Sequence, residues 1–177
     1  AHRFLLTLRD LGFNVLAYDY RGYGRSSGHP TEENSYNDIT AAYEYLVETR
    51  GIPSDRVIAH GRSLGGAVAA DLALRKPVGG LILESTFTSA GRVLFGFRIL
   101  PFDKFETINK IGKVESPVLI IHGRLDRTIS FHHGEKLLDL ANEPKYHFWV
   151  DGAGHNDLFF TARDSYLAAI KNFADGL

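Results

Sequence analysis

The stretch Arg56-Val57-Ile58-Ala59-His60-Gly61-Arg62-Ser63-Leu64-Gly65-Gly66 constrains this chain more than any other. An apolar run of strand type leads into G-x-S-x-G, and a helical run, Ala67 to Leu74, follows at once. The order strand, sharp turn, helix lifts a serine hydroxyl off the end of a sheet. Gly61 and Gly65 are read as the residues that turn needs, where backbone strain and close helix–strand approach leave no room for a Cβ. The N–H of Leu64 would open the helix and point at developing negative charge, as one oxyanion donor. The pentapeptide alone is a weak signal in a chain with 18 glycines. The bland alternative is a Gly-rich turn in which Ser63 merely caps the helix.

The chain has 177 residues, enough for one domain with a core. Its 20 basic and 21 acidic residues nearly balance, at −1, so neither a nucleic-acid-binding block nor an acidic tail is present. The absence of cysteine excludes disulfides, zinc thiolates and a cysteine nucleophile within this sequence, and suits either redox compartment. No apolar stretch is long enough to span a membrane. Ala1 already lies inside a helix-like pattern without an initiator methionine, so the chain is read as a fragment, truncated at its N-terminus.

Apolar residues at helical spacing predict a helix over His2–Leu11, ended by Gly12. Phe13–Tyr18 reads as a short buried strand, and Asp19–Gly28 as a Gly-rich loop forming one wall of a cleft, with Tyr20 facing substrate. A helix starts at Thr31–Glu32 and runs to about Thr49. The elbow strand follows, then its helix to Arg75, then a buried strand, Leu81–Glu84. Residues 85–112 are aromatic and irregular. They suggest either a small lid or pocket wall, with Phe87 and Phe95 on substrate, or ordinary core packing. Pro117–Gly123 is the clearest buried parallel strand. A helix over Phe131–Ala141, a strand over Lys145–Val150 and a closing helix over Leu158–Phe173 complete the chain. This alternation predicts an α/β fold, a mainly parallel sheet with helices on both faces, in a single domain over residues 1–177.

Ser63, Asp126 and His155 each sit just past a predicted strand's carboxyl end, where loops of a parallel sheet converge. Their order, Ser…Asp…His, matches the strand–elbow–helix architecture. A serine hydroxyl is a poor nucleophile at neutral pH and needs a base. An imidazole takes its proton and later returns it, and a carboxylate holds that imidazole in the right tautomer. Ser63 is therefore assigned as nucleophile, His155 as base then acid, and Asp126 as orienting carboxylate. Arg62 is placed on the substrate side of the turn. Among rivals, His60 and His122 read as packed strand residues, and His132 and His133 as exposed at a helix start. Asp103, Asp151 and Asp157 remain alternative acids.

The motifs Asp19-Tyr20-Arg21-Gly22-Tyr23-Gly24, Gly61-Arg62-Ser63-Leu64-Gly65-Gly66, Pro117–Asp126 and Gly152-Ala153-Gly154-His155-Asn156-Asp157 together resemble the α/β-hydrolase superfamily. The branch resembled contains serine-aminopeptidase-like hydrolases and membrane-associated depalmitoylating thioesterases. The resemblance implies the same three catalytic residues and neither a metal nor an organic cofactor. It also implies an earlier strand, absent here, whose loop supplies a second oxyanion donor and which lies between the strands matching Phe13–Tyr18 and Arg56–His60. A gap in the sheet is expected, to be filled by upstream residues or a partner chain; otherwise the polypeptide is not a working enzyme.

The leading expectation is a serine hydrolase that cleaves a carboxylic ester or acyl thioester through an acyl-enzyme. The substrate would be a small molecule or an acyl-protein, with no nucleic-acid partner. The sequence does not give the compartment; a cytoplasmic or membrane-peripheral location is the expectation, and the resemblance implies that any membrane association would be carried by an upstream segment. The alternatives are an aminopeptidase-like serine peptidase, with Glu84 as candidate holder of a substrate ammonium, and a non-catalytic binding domain on the same fold.

Overall fold

Four of the five runs read as strands join one parallel sheet, in the computed structural model that describes residues 2–91 and 104–177. The strands are β1 (Ile58–Arg62), β2 (Gly80–Glu84), β3 (Val118–Gly123) and β4 (Lys145–Val150), adjacent in that order. Arg62 pairs with Glu84, Glu84 with Ile121, and Gly123 with Val150, so the carboxyl ends of all four strands share one rim. β2 and β3 are buried along their whole length, as their unbroken apolar sequences require of strands covered on both faces.

The helices placed around the sheet include α1 (His2–Asp10), α2 (Glu32–Glu44), α3 (Leu64–Arg75), α4 (Phe131–Leu140), α5 (Leu158–Thr161) and α6 (Arg163–Asp175). Strand side chains alternate between two cores. Leu81, Leu83, Val118 and Ile120 point to the face that holds Ala69 and Leu72 of α3 and Leu137 of α4. Ile82, Leu119 and Ile121 point to the face that holds Leu8 of α1 and Leu167, Ile170 and Phe173 of α6. Truncating a fully buried member such as Ile120 to alanine would cost about 2–5 kcal/mol. Among the described residues, no helix is long and apolar enough to cross a membrane.

The structure corrects several boundaries. Phe13–Tyr18 is not a buried strand; it has no ladder partner among the described residues, and Val15, Leu16 and Tyr18 are exposed. Among the described residues β1 pairs only with β2, and no segment lies hydrogen-bonded between β1 and Phe13–Tyr18. An apolar run without a neighbour has no ladder in which to bond, so its propensity goes unused. Leu5, Leu6, Phe13 and Val15 instead line an open groove of about 350 Å³. The closing helix is broken at Ala162 (φ −134°, ψ 44°) into α5 and α6. α2 ends in a wider turn over Tyr45–Thr49, as the chain approaches Gly51 at φ +65°. Phe95, and with it residues 92–103 of the expected lid, lie outside the described residues.

Candidate active site

The turn after β1 is strained at its serine. Ser63 has φ 54° and ψ −121°, a region that non-glycine residues avoid at a cost of roughly 1–3 kcal/mol. Two contacts hold it there: the Ser63 N–H donates to the Glu84 carbonyl at 2.8 Å, and the Ser63 carbonyl accepts from the Gly66 N–H at 3.1 Å. Although Ser63 occupies the N-cap position of α3, its side chain makes no capping hydrogen bond, so capping does not explain it. A Cβ on Gly61 would sit 2.1 Å from the Gly65 carbonyl oxygen, and one on Gly66 1.8 Å from Thr86 Oγ1. At Gly65 the nearest atom would be Tyr20 Oη at 3.6 Å, an ordinary contact. The second obligatory glycine of the turn is thus Gly66, because α3 presses against the segment after β2 there. α3 begins at Leu64, whose N–H falls in the first turn of the helix, where no intrahelical acceptor exists.

Asp126 lies in the loop after β3, with its carboxylate fully engaged. Its Oδ1 accepts from the N–H groups of Thr128 and Ile129, both at 2.8 Å. Its Oδ2 lies 2.7 Å from His155 Nδ1. This leaves Nε2 as the other working nitrogen of the imidazole. The same Oδ2 lies 3.4 Å from His122 Nε2, which is also 2.9 Å from the Ile129 carbonyl. His122 is wholly buried, and burial lowers its pKa, so it packs as a neutral ring beneath the carboxylate. The His155 loop leaves β4 through Gly152 at φ +75°. It is tightened by Asp157, whose Oδ1 accepts the Gly154 N–H at 2.7 Å.

The rival acids are accounted for. Asp157 serves its own turn, and Asp151 pairs with Arg124 at 3.0 Å on the surface. Asp103 lies outside the described residues. His132 is exposed as expected, but His133 is not: it is half-buried, and its Nδ1 accepts the Thr88 N–H at 3.2 Å.

The flanking assignments fare differently. Tyr20 is half-buried with its hydroxyl over the start of α3, and burial pushes its pKa up, which keeps the O–H protonated. Its loop is pinned to α2 because Asp38 accepts both the Arg21 N–H at 2.9 Å and Arg21 Nε at 2.7 Å. Phe87 is only 6 % exposed and packs with Ala67 and Ile129, so it supports the elbow helix more than it lines a cleft. Arg62, still partly exposed, turns toward the His155 loop. Its Nη2 donates to the His155 carbonyl at 2.7 Å and to Asn156 Oδ1 at 2.8 Å. Glu84 does not await an ammonium. It is buried, and it engages Tyr166 Oη at 2.7 Å and His60 Nε2 and Arg62 Nε at 3.3 Å each. Burial alone would raise its pKa, but His60, Tyr166 and Arg62 outweigh burial and hold the carboxyl below its usual range. Asn156 went unassigned in the sequence, although it sits beside His155 in a quoted motif.

Comparison with known proteins agrees with this architecture. Residues 1–107 match the family described as serine aminopeptidase, S33, a stretch that includes the elbow and ends before Asp126. The chain is 45 % identical over 162 residues to alpha/beta hydrolase domain-containing protein 17B of Homo sapiens, covering 90 % of this chain and 56 % of that protein. It is 40 % identical over 174 residues to alpha/beta hydrolase domain-containing protein aho-3 of Caenorhabditis elegans, covering 95 % of this chain and 52 % of that protein. The chain thus spans about half the length of these relatives. Among solved structures, the Pyrococcus furiosus esterase Pf2001 superposes with a TM-score of 0.83 at 21 % identity, over 98 % of this chain and 75 % of that one. The α/β hydrolase GrgF of a Penicillium species does so with a TM-score of 0.83 at 16 % identity, over 98 % and 83 %. At such identities the structural likeness speaks to the fold.

Proposed function

The chain belongs to the serine aminopeptidase S33 family of α/β-hydrolases, and from that premise we propose a serine hydrolase that cleaves a carboxylic ester or acyl thioester. The observation that carries the reading is the 2.7 Å bond between His155 Nδ1 and an Asp126 carboxylate whose other oxygen is held by two N–H groups. A carboxylate fixed in this way orients the ring and stabilises its cationic form.

In the proposed reaction Nε2 of His155 takes the Ser63 hydroxyl proton as the oxygen attacks the carbonyl carbon. The tetrahedral oxyanion faces the Leu64 N–H. The protonated imidazole then gives its proton to the departing alkoxide or thiolate, leaving an acyl group on Ser63. Water, deprotonated by the same nitrogen, releases the acid and frees the serine. Tyr20 stands over the start of the elbow helix as one wall of the site. An acyl small molecule or an acyl-protein would both present the required carbonyl. The chain spans about half the length of these relatives, so the activity of a whole protein of that length is part of this proposal.

The engagement of Glu84 favours the ester reading over an aminopeptidase one. Release of an N-terminal residue needs an acceptor for the substrate ammonium, and Glu84 is buried with three partners. Rates on a p-nitrophenyl ester and an aminoacyl-anilide, measured side by side, discriminate the two. The primary test is labelling by a fluorophosphonate, which forms a covalent adduct with an activated serine. Labelling is expected in the wild type and absent in Ser63→Ala; a wild type that resists the reagent, or a variant that still reacts, refutes the proposal.

A further inference from the structure

The cluster around Glu84 lies outside the three residues of the proposed chemistry, yet it ends on one of them. Arg62 is the last residue of β1 and the immediate neighbour of Ser63. Its Nη2 donates to the main-chain carbonyl of His155 itself and to the side chain of Asn156, at 2.7 and 2.8 Å. From Nε the same guanidinium reaches Glu84 Oε1 at 3.3 Å. Glu84 is the residue opposite Arg62 in the sheet, so the brace is fixed by strand register. Its Oε2 accepts from Tyr166 of α6 and lies 3.3 Å from His60 on β1.

We infer that Arg62, braced on Glu84, is a positioning residue that ties the main chain of the His155 loop to the strand carrying Ser63. The inference rests on the hydrolase reading for its consequence, though not for the tie itself. Without such a tie, the base and the nucleophile stand on loops from β4 and β1, which lie at opposite ends of the described sheet order. Asp126 fixes the imidazole from the β3 side, and Arg62 fixes the backbone that bears it from the β1 side. The planar fork of arginine suits the task, since separate nitrogens serve the carboxylate and the loop; a lysine ammonium is a single point.

The test compares wild type, Arg62→Lys, Arg62→Ala and Asn156→Ala in three measurements. These are hydrogen exchange of peptides spanning residues 151–158, kcat and KM on p-nitrophenyl butyrate, and thermal unfolding. Arg62→Ala is expected to speed exchange over 151–158. It should lower kcat by on the order of 10- to 100-fold with little change in KM, because small displacements of reacting groups carry penalties of that size. Arg62→Lys keeps the charge and should recover only part of kcat. Asn156→Ala leaves the His155 carbonyl in place and should show the smallest loss. Unchanged exchange over 151–158 in Arg62→Ala overturns the inference. So does faster exchange with full kcat, which would leave Arg62 a structural contact only. A wild type that neither labels nor turns over refutes the hydrolase reading, while the exchange comparison still decides whether Arg62 holds the loop.

Discussion

The hydroxyl of Tyr166 donates to Glu84 at 2.7 Å, joining the closing helix to the strand beside the elbow. Both residues are buried, and the carboxylate is shared with His60 and Arg62. Tyr166→Phe keeps the ring in its contacts with Phe4 and Phe159 and removes only the donor. Hydrogen bonds to charged groups are worth about 1.5–3 kcal/mol, so a loss of that order is expected in urea unfolding at neutral pH.

Glu84 also sets part of the acid limb of stability. Its folded pKa lies below the ordinary value of 4.5, so the unfolded chain binds its proton first as pH falls. The stabilisation is complete above the unfolded value and fades as pH drops below 4.5 through the folded value. In Glu84→Gln, stability against pH should be flatter than wild type below that point and lower at neutrality. Equal slopes in the two proteins would refute the assignment.

His122 adds a separate step at higher pH. Burial lowers its pKa from 6.5, so the folded ring stays neutral where the unfolded one charges. Its contribution is intact above 6.5 and is lost as pH falls from there toward the folded value. Subtracting the stability curve of His122→Gln from that of wild type should leave a step in this window, read by denaturant midpoints.

The two crowded glycines of the elbow are expected to differ from the one between them. Gly66→Ala drives a methyl into Thr86 and should destabilise by about 1–3 kcal/mol, the usual cost of overpacking. Gly65→Ala meets only the Tyr20 hydroxyl at 3.6 Å. Since alanine favours helix over glycine by about 1 kcal/mol, that variant should fold at least as stably as wild type. Thermal unfolding of the pair checks both.

On the proposed mechanism, Asp126→Asn releases the His155 tautomer and should lower ester turnover on the order of 10⁴-fold. Asp151, which only pairs with Arg124 at the surface, should be replaceable by Asn with turnover within about twofold and stability within ~0.5 kcal/mol. A reversal of these sensitivities would move the acid from Asp126 to Asp151.

The parallel sheet was legible because its central strands, Leu81–Glu84 and Val118–Gly123, are continuous apolar runs between turn residues. Local pattern suffices where both faces are covered. The elbow was legible for a similar reason, since a turn this tight admits few residues. Ser63 lies on a strained backbone at the end of β1, and Asp126 and His155 bond to each other from the loops after β3 and β4. Phe13–Tyr18 has the apolar pattern of a strand but stands outside the sheet of the described residues, because strand formation depends on a neighbour to bond with, and the gap expected beside the elbow strand leaves it none. The contacts of Arg62 are hidden from local pattern for a related reason. A charged side chain at a strand end looks the same in sequence whether it faces a cleft or a loop more than ninety positions away. What the chain encodes locally is periodicity, turn chemistry and the order of its reactive groups. Which partner satisfies each buried charge, and which glycine a packed helix cannot spare, is decided only when distant segments meet, because those contacts depend on distance in space and not along the chain.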